Sequence, residues 1–153
     1  MTFKACLVTA GLFLFMGCSA TLPIRLYPVR GPLATQTPPP LLKGELHLGM
    51  TSGRATLTLL DGDVCTGPLH DLKGEGAQIH PAEVDLAPTW EAVHGPGFYL
   101  ANILGARRYA RGKLSSARGS TIHLEIYRSE LKMAPILGVA QDTQGNSYKV
   151  TFD

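Results

Sequence analysis

A lone internal thiol, five scattered histidines and a run of arginines are the side chains of this 153-residue chain that invite a chemical reading first. A thiol activated by an imidazole is a nucleophile, yet His47, His70, His80, His94 and His123 keep no fixed spacing to Cys65. No two histidines share a metal-ligand spacing, and Cys65 cannot complete a structural zinc set. Ser115, Ser116 and Ser120 lack the G-x-S-x-G context of a nucleophile elbow. Asp61, Asp63, Asp71 and Glu75 lie along one stretch where turn chemistry explains carboxylates better than paired acid–base work. No phosphate loop or dinucleotide fingerprint is present. The sequence therefore predicts a non-enzyme without cofactor or metal. The alternative is an enzyme whose site assembles around Cys65 or the histidines from residues far apart in sequence.

One charged run stands apart. Arg107, Arg108, Arg111, Lys113 and Arg118 place five cations in twelve residues, with Tyr109 among them and no acid. Such charges protect a strand edge from unwanted pairing, and the same run suits contact with a polyanion. The formal net charge of +2 argues against bulk nucleic-acid binding.

The elements that hold these residues begin with an address. Lys4 precedes an uncharged run over residues 5–17, long enough for a signal-peptide core and short of the ~20 apolar residues that span a bilayer as a helix. The run ends in Phe15-Met16-Gly17-Cys18, which resembles the lipobox of bacterial lipoproteins. The resemblance implies removal of residues 1–17, a diacylglyceryl thioether on Cys18 and a membrane partner held through that lipid. Ser19 in place of Asp resembles the outer-membrane sorting default, with the protein facing the periplasm or the cell surface. A plain signal cleaved near Ala20, or an uncleaved anchor, is the alternative. With Cys6 in the signal and Cys18 lipidated, Cys65 has no intramolecular disulfide partner and reads as a small buried hydrophobe.

Residues 18–43 carry Pro23, Pro28, Pro32, Pro38, Pro39 and Pro40 and read as a proline-rich tether. Alternation over residues 24–29 leaves open an edge strand within it. From residue 44 to 153 a single domain is expected. Seventeen Gly and eleven Pro point to many turns, and period-two alternation marks half-buried strands over residues 45–50, 54–60, 121–127 and 148–153. Turns at Asp61-Gly62-Asp63, Ala117-Arg118-Gly119 and Gln144-Gly145-Asn146 join strand pairs into hairpins. Thr89 is placed as the N-cap of a short helix, and residues 98–104 read as either a buried strand or a short helix. The fold class is mainly β: consecutive antiparallel hairpins forming a meander or partly closed barrel, with at most one short helix.

Two weaker resemblances follow. Residues 53–67, with Asp61, Gly62 and Gly67 in place and Cys65 at the usual Tyr position, resemble one MORN repeat, which implies hairpins stacked in an extended, non-enzymatic interaction sheet. The D-G-x-x-C-x-G hairpin at 61–67 and the closing D-x-x-G-N-x-Y hairpin at 142–148 resemble those of small bacterial envelope lipoproteins. The functional expectation is a lipid-anchored envelope protein acting as a binding or structural module, with a polyanion or a protein as partner.

Overall fold

Alternation becomes architecture through eight antiparallel strands, each paired with its sequence neighbour, the last closing on the first. The computed structural model describes residues 20–48, 53–71, 84–104, 108–128 and 136–153, with the backbone alone for Asp71, Arg108, Tyr109 and Arg128. The strands are β1 (Ala20–Arg30), β2 (Leu42–Leu48), β3 (Gly53–Thr58), β4 (Val64–Asp71), β5 (Arg108–Ser115), β6 (Thr121–Arg128), β7 (Ile136–Asp142) and β8 (Ser147–Phe152). A helix, α1 (Ala87–His94), and a π-helical turn over Tyr99–Ile103 lie between β4 and β5. The barrel is a simple up-and-down meander, so the expected hairpins are all present and the sheet is closed. In place of the extended sheet implied by the MORN resemblance, the hairpin at 53–67 is two staves of that barrel.

Period two decides what lies inside. Ile24 and Leu26 of β1, Leu46 of β2, Leu57 of β3, Leu114 of β5 and Leu124 of β6 are at most 1% exposed and belong to one interior cluster. Fully burying each such side chain contributes roughly 1.5–3 kcal/mol. Gly67, Gly112, Ala55 and Ala140 intersperse small residues among the large ones, as an eight-stranded barrel filled by its own side chains requires. At Gly67 the fit is closest, since an added Cβ would lie 2.1 Å from the Lys113 carbonyl oxygen. Outward positions carry Lys43, Glu45, His47, Arg54, Thr56, Thr66, Lys113 and Lys149. Apolar inside and polar outside is the inverse of a membrane-spanning barrel, whose outer face is an apolar band. Among the described residues no helix is long and apolar enough to cross a membrane.

Three hairpin turns repeat one geometry at the same end of the barrel. The amide of the first residue donates to the carbonyl four residues on: Leu59 to Asp63, Ser116 to Ser120, Asp142 to Asn146. Gly62, Gly119 and Gly145 then take φ of 80°, 89° and 86°, the left-handed position of a type I turn closed by a bulge.

The segment expected as a tether is part of the barrel from Ala20 onward. β1 pairs with β2 along one side and β8 along the other, so the domain starts well before residue 44. The prolines that suggested a spacer are placed where a missing N–H does little harm. Pro28 precedes a register shift against β8, and Pro23 contributes its carbonyl to the Asp153 amide at 3.2 Å. Pro32 opens a 3-10 turn, Pro32–Thr35, that folds over the barrel end. Residues 24–29 were legible as a strand by their alternation.

Thr89 is not a helix cap. Its hydroxyl lies inside α1 and bonds Gln141 Oε1 at 3.1 Å, while Asp85 Oδ1 accepts the Ala87 amide at 2.9 Å and serves the helix start. The ambiguous run at 98–104 is a helical turn.

Candidate functional site

The repeated turns build a mouth. β1, β3, β5 and β7 run toward it, and β2, β4, β6 and β8 run away from it, so Asp61, Arg118 and Gln144 all come from its rim. The 3-10 turn covers one side, with the Leu33 amide donating to Asn146 Oδ1 at 2.9 Å. Between the turns and this cover lies a cleft of about 240 Å³. Leu33, Leu42, Leu59, Leu60, Ile122 and the Tyr148 ring form its apolar walls. Asp61, Ser120, Thr121, Asp142, Thr143 and Gln144 form its polar rim.

Asp142 fixes the cleft wall. Its Oδ1 accepts the Gln144 and Asn146 amides at 2.9 and 2.8 Å, and its Oδ2 accepts Asn146 Nδ2 at 2.8 Å and the Tyr148 hydroxyl at 2.7 Å. This hub gives a physical reason for the closing D-x-x-G-N-x-Y spacing noted in the sequence. Burial, and then the bond to Asp142, push the Tyr148 phenol upward, so it remains a donor at neutral pH. Opposite, Asp61 Oδ2 meets Arg118 at 3.0 Å, tying the β3–β4 turn to the β5–β6 turn. Asp63 Oδ1 accepts the Val64 amide at 3.0 Å, and its own amide donates to Asp61 Oδ1 at 3.0 Å.

Below the rim Cys65 is fully buried and free, with Sγ 3.9 Å from the Ser120 carbonyl. Burial first, and the neighbouring Asp63 second, push its thiol upward, which makes it a poor nucleophile. His47, His70 and His123 alternate outward and His94 lies in α1, so no described histidine shares the interior with Cys65. Among the described residues no three of His, Cys, Asp and Glu gather as a metal site. His80 and Cys18 lie outside the described residues.

The described cations of the 107–118 run, Arg111, Lys113 and Arg118, meet three different surroundings. Arg111 is 7% exposed on the outer face beneath α1, 3.9 Å from Glu125 and bonded to the Val84 carbonyl. Arg118 is engaged at the mouth with Asp61. Lys113 is exposed on β5 between them. Arg107 and the Arg108 side chain lie outside the described residues. Arg111 and Lys113 alternate onto the same outer face of β5, and Arg118 sits beyond the strand's end in the turn to β6.

Sequence reasoning missed two groups. The Pro32–Thr35 cover of the mouth was hidden in the presumed tether. The second is a buried polar cluster outside the barrel, where Trp90 Nε1 of α1 donates to Glu125 Oε1 at 3.1 Å. No protein-family model, no curated protein and no solved structure matches this chain.

Proposed function

We propose that this chain is a lipid-anchored cell-envelope protein, held through Cys18 in the outer membrane and facing the periplasm. We further propose that its barrel is a non-enzymatic binding module for a small amphiphilic ligand. The observation that carries the reading is the preformed cleft at the barrel end opposite Ala20. β1 starts at Ala20, two residues after the lipobox cysteine, where Ala20 pairs with Leu48 at the base. It ends at Arg30, which pairs with Ser147 at the mouth. An anchor at Cys18 therefore seats the base at the bilayer and turns the cleft toward the aqueous space. At about 0.8 kcal/mol per buried methylene, two or three acyl chains hold such a protein firmly. Cleft walls that are largely apolar with a few fixed polar groups suit a small ligand. The buried, protonated Cys65 supports binding over catalysis.

The test is metabolic labelling with a fatty acid, paired with fractionation. Wild type should carry label in the membrane fraction, and Cys18→Ser should carry none. Equal labelling of the variant would overturn the anchor.

A further inference from the structure

We propose that the mouth cleft takes an uncharged amphiphile, a short aliphatic chain ending in a hydroxyl or amide head. This rests on the reading of the mouth as a binding site and adds the chemistry of its ligand.

Two carboxylates line the cleft, and the protein itself engages both. Asp61 Oδ2 meets Arg118 at 3.0 Å, and its Oδ1 accepts the Asp63 amide at 3.0 Å. Asp142 accepts two neutral donors on each oxygen: the Gln144 and Asn146 amides on Oδ1, Asn146 Nδ2 and the Tyr148 hydroxyl on Oδ2. Among the described residues no Lys, Arg or His lines the cleft. An ionic ligand would therefore leave its hydration without meeting a free counter-charge, and that transfer is strongly unfavourable. An anion would also approach two carboxylates.

The neutral polar groups of the rim are in the opposite condition. The Ser120, Thr121 and Thr143 hydroxyls and the Gln144 side-chain amide make no hydrogen bond among the described residues. Their backbones are nevertheless held. The Thr143 amide donates to the Thr121 carbonyl at 3.2 Å, the Ser120 amide to the Ser116 hydroxyl at 3.1 Å, and the Gln144 amide to Asp142. The rim thus offers donors and acceptors from fixed positions, and a hydroxyl or amide head can use both kinds. Exchanging its bonds to water for bonds to such groups carries little net penalty.

The walls set the rest of the ligand. Leu42 and Ile122, at most 2% exposed, give an apolar lining, and Leu60, 54% exposed, stands at the edge. A volume of about 240 Å³ holds about eight non-hydrogen atoms at the ~30 Å³ of a liquid water. A short chain with one neutral head fills that space.

The experiment titrates the full mature chain carrying Cys18→Ser with 1-hexanol, hexylamine and hexanoate at pH 7, reading affinity by calorimetry. The alcohol should bind at least tenfold tighter than either ion, and added sodium chloride should leave its affinity unchanged. Leu60→Asp brings an unpaired carboxylate to the edge of the cleft. It should weaken the alcohol and reverse the order in favour of hexylammonium. If that variant loses its far-ultraviolet dichroism, the ranking and salt dependence of the parent chain decide alone. Equal affinities for all three, or an ion bound tightest, would overturn the uncharged ligand and leave the mouth as a binding site. Binding by none of the three, or an alcohol bound equally by the parent and a folded Leu60→Asp, would overturn the mouth as a binding site.

Discussion

The two faces of this sheet are held together by different chemistry. Inside, β1 to β8 present aliphatic side chains, and the only buried ionisable carboxylate is Asp63 at the mouth among the described residues. Outside, beneath α1, the buried patch is mixed. Trp90, Leu86, Ile103 and Val139 are at most 2% exposed, and they enclose Glu125 at 2% and Arg111 at 7%. His94 and Phe98 extend it as a stack, with ring centroids 4.4 Å apart and both within 6.2 Å of Trp90. The inner face tolerates loss of volume in proportion to the atoms removed. The outer patch is poised on one carboxylate serving an indole and a guanidinium.

That contrast predicts its own largest effect at Glu125. Glu125→Ala removes the carboxylate beside Arg111 and the acceptor of the Trp90 N–H, and breaking such a buried pair costs about 3–5 kcal/mol. Replacing both partners, Arg111→Met with Glu125→Leu, should cost clearly less than the single change, as chemical denaturation will read. A double variant less stable than Glu125→Ala would show that the pair is not the element that matters.

Next comes the inner face. Leu124→Ala removes a fully buried aliphatic and should cost ~2–5 kcal/mol. At the closing strand, Phe152 packs against the core only in part, so Phe152→Ala should fall below the ~3–5 kcal/mol of a fully buried aromatic. Thr151→Ala, on the opposite face, should shift the thermal midpoint less than either. Equal midpoints for Phe152→Ala and Thr151→Ala would break the register of β8.

A smaller effect distinguishes the outer patch by pH. Burial first, and Lys149 second, hold the His94 imidazole below its ordinary 6.5, and its Nε2 is buried without a partner among the described residues. The unfolded chain therefore takes up this proton at higher pH than the folded one. The stability contributed by neutral His94 is complete above pH 6.5 and is lost as pH falls from there through the folded value. The chain has one tryptophan, Trp90, stacked 5.4 Å from His94. Its fluorescence should change over this window, and His94→Phe should remove the change. The smallest effect is at Cys65, whose buried thiol should resist iodoacetamide in the native protein and react once denatured. Rapid native labelling would show an interior more open than described.

What the sequence revealed follows the same division. Strand alternation at 54–60 and 121–127 and the Gly turns at 62, 119 and 145 are local signals, and they announced the hairpins that close into the barrel. The outer patch had little local signal, because its members come from β5, β6, β7, α1 and the π-helical turn. Glu125 alternates like a solvent-facing residue, and only the cover from α1 buries it. One clue was readable: Val139-Ala140 puts apolar residues on both faces of β7, the mark of a strand covered on two sides. At the mouth, Asp142 and Tyr148 were legible as a motif, while the 3-10 cover was masked by prolines that suggested a tether.

Orientation is the claim that joins anchor to cleft, and it can be measured in vesicles. Lipidated protein in a Cys65→Ala background would carry a spin label either at the mouth, Thr143→Cys, or at the base, Asp153→Cys. The account predicts a base label close to the lipid headgroups, relaxed by membrane-dissolved oxygen, and a mouth label reached only by aqueous reagents. Labels equally remote from the bilayer, or a mouth label nearer to it than the base label, would contradict it.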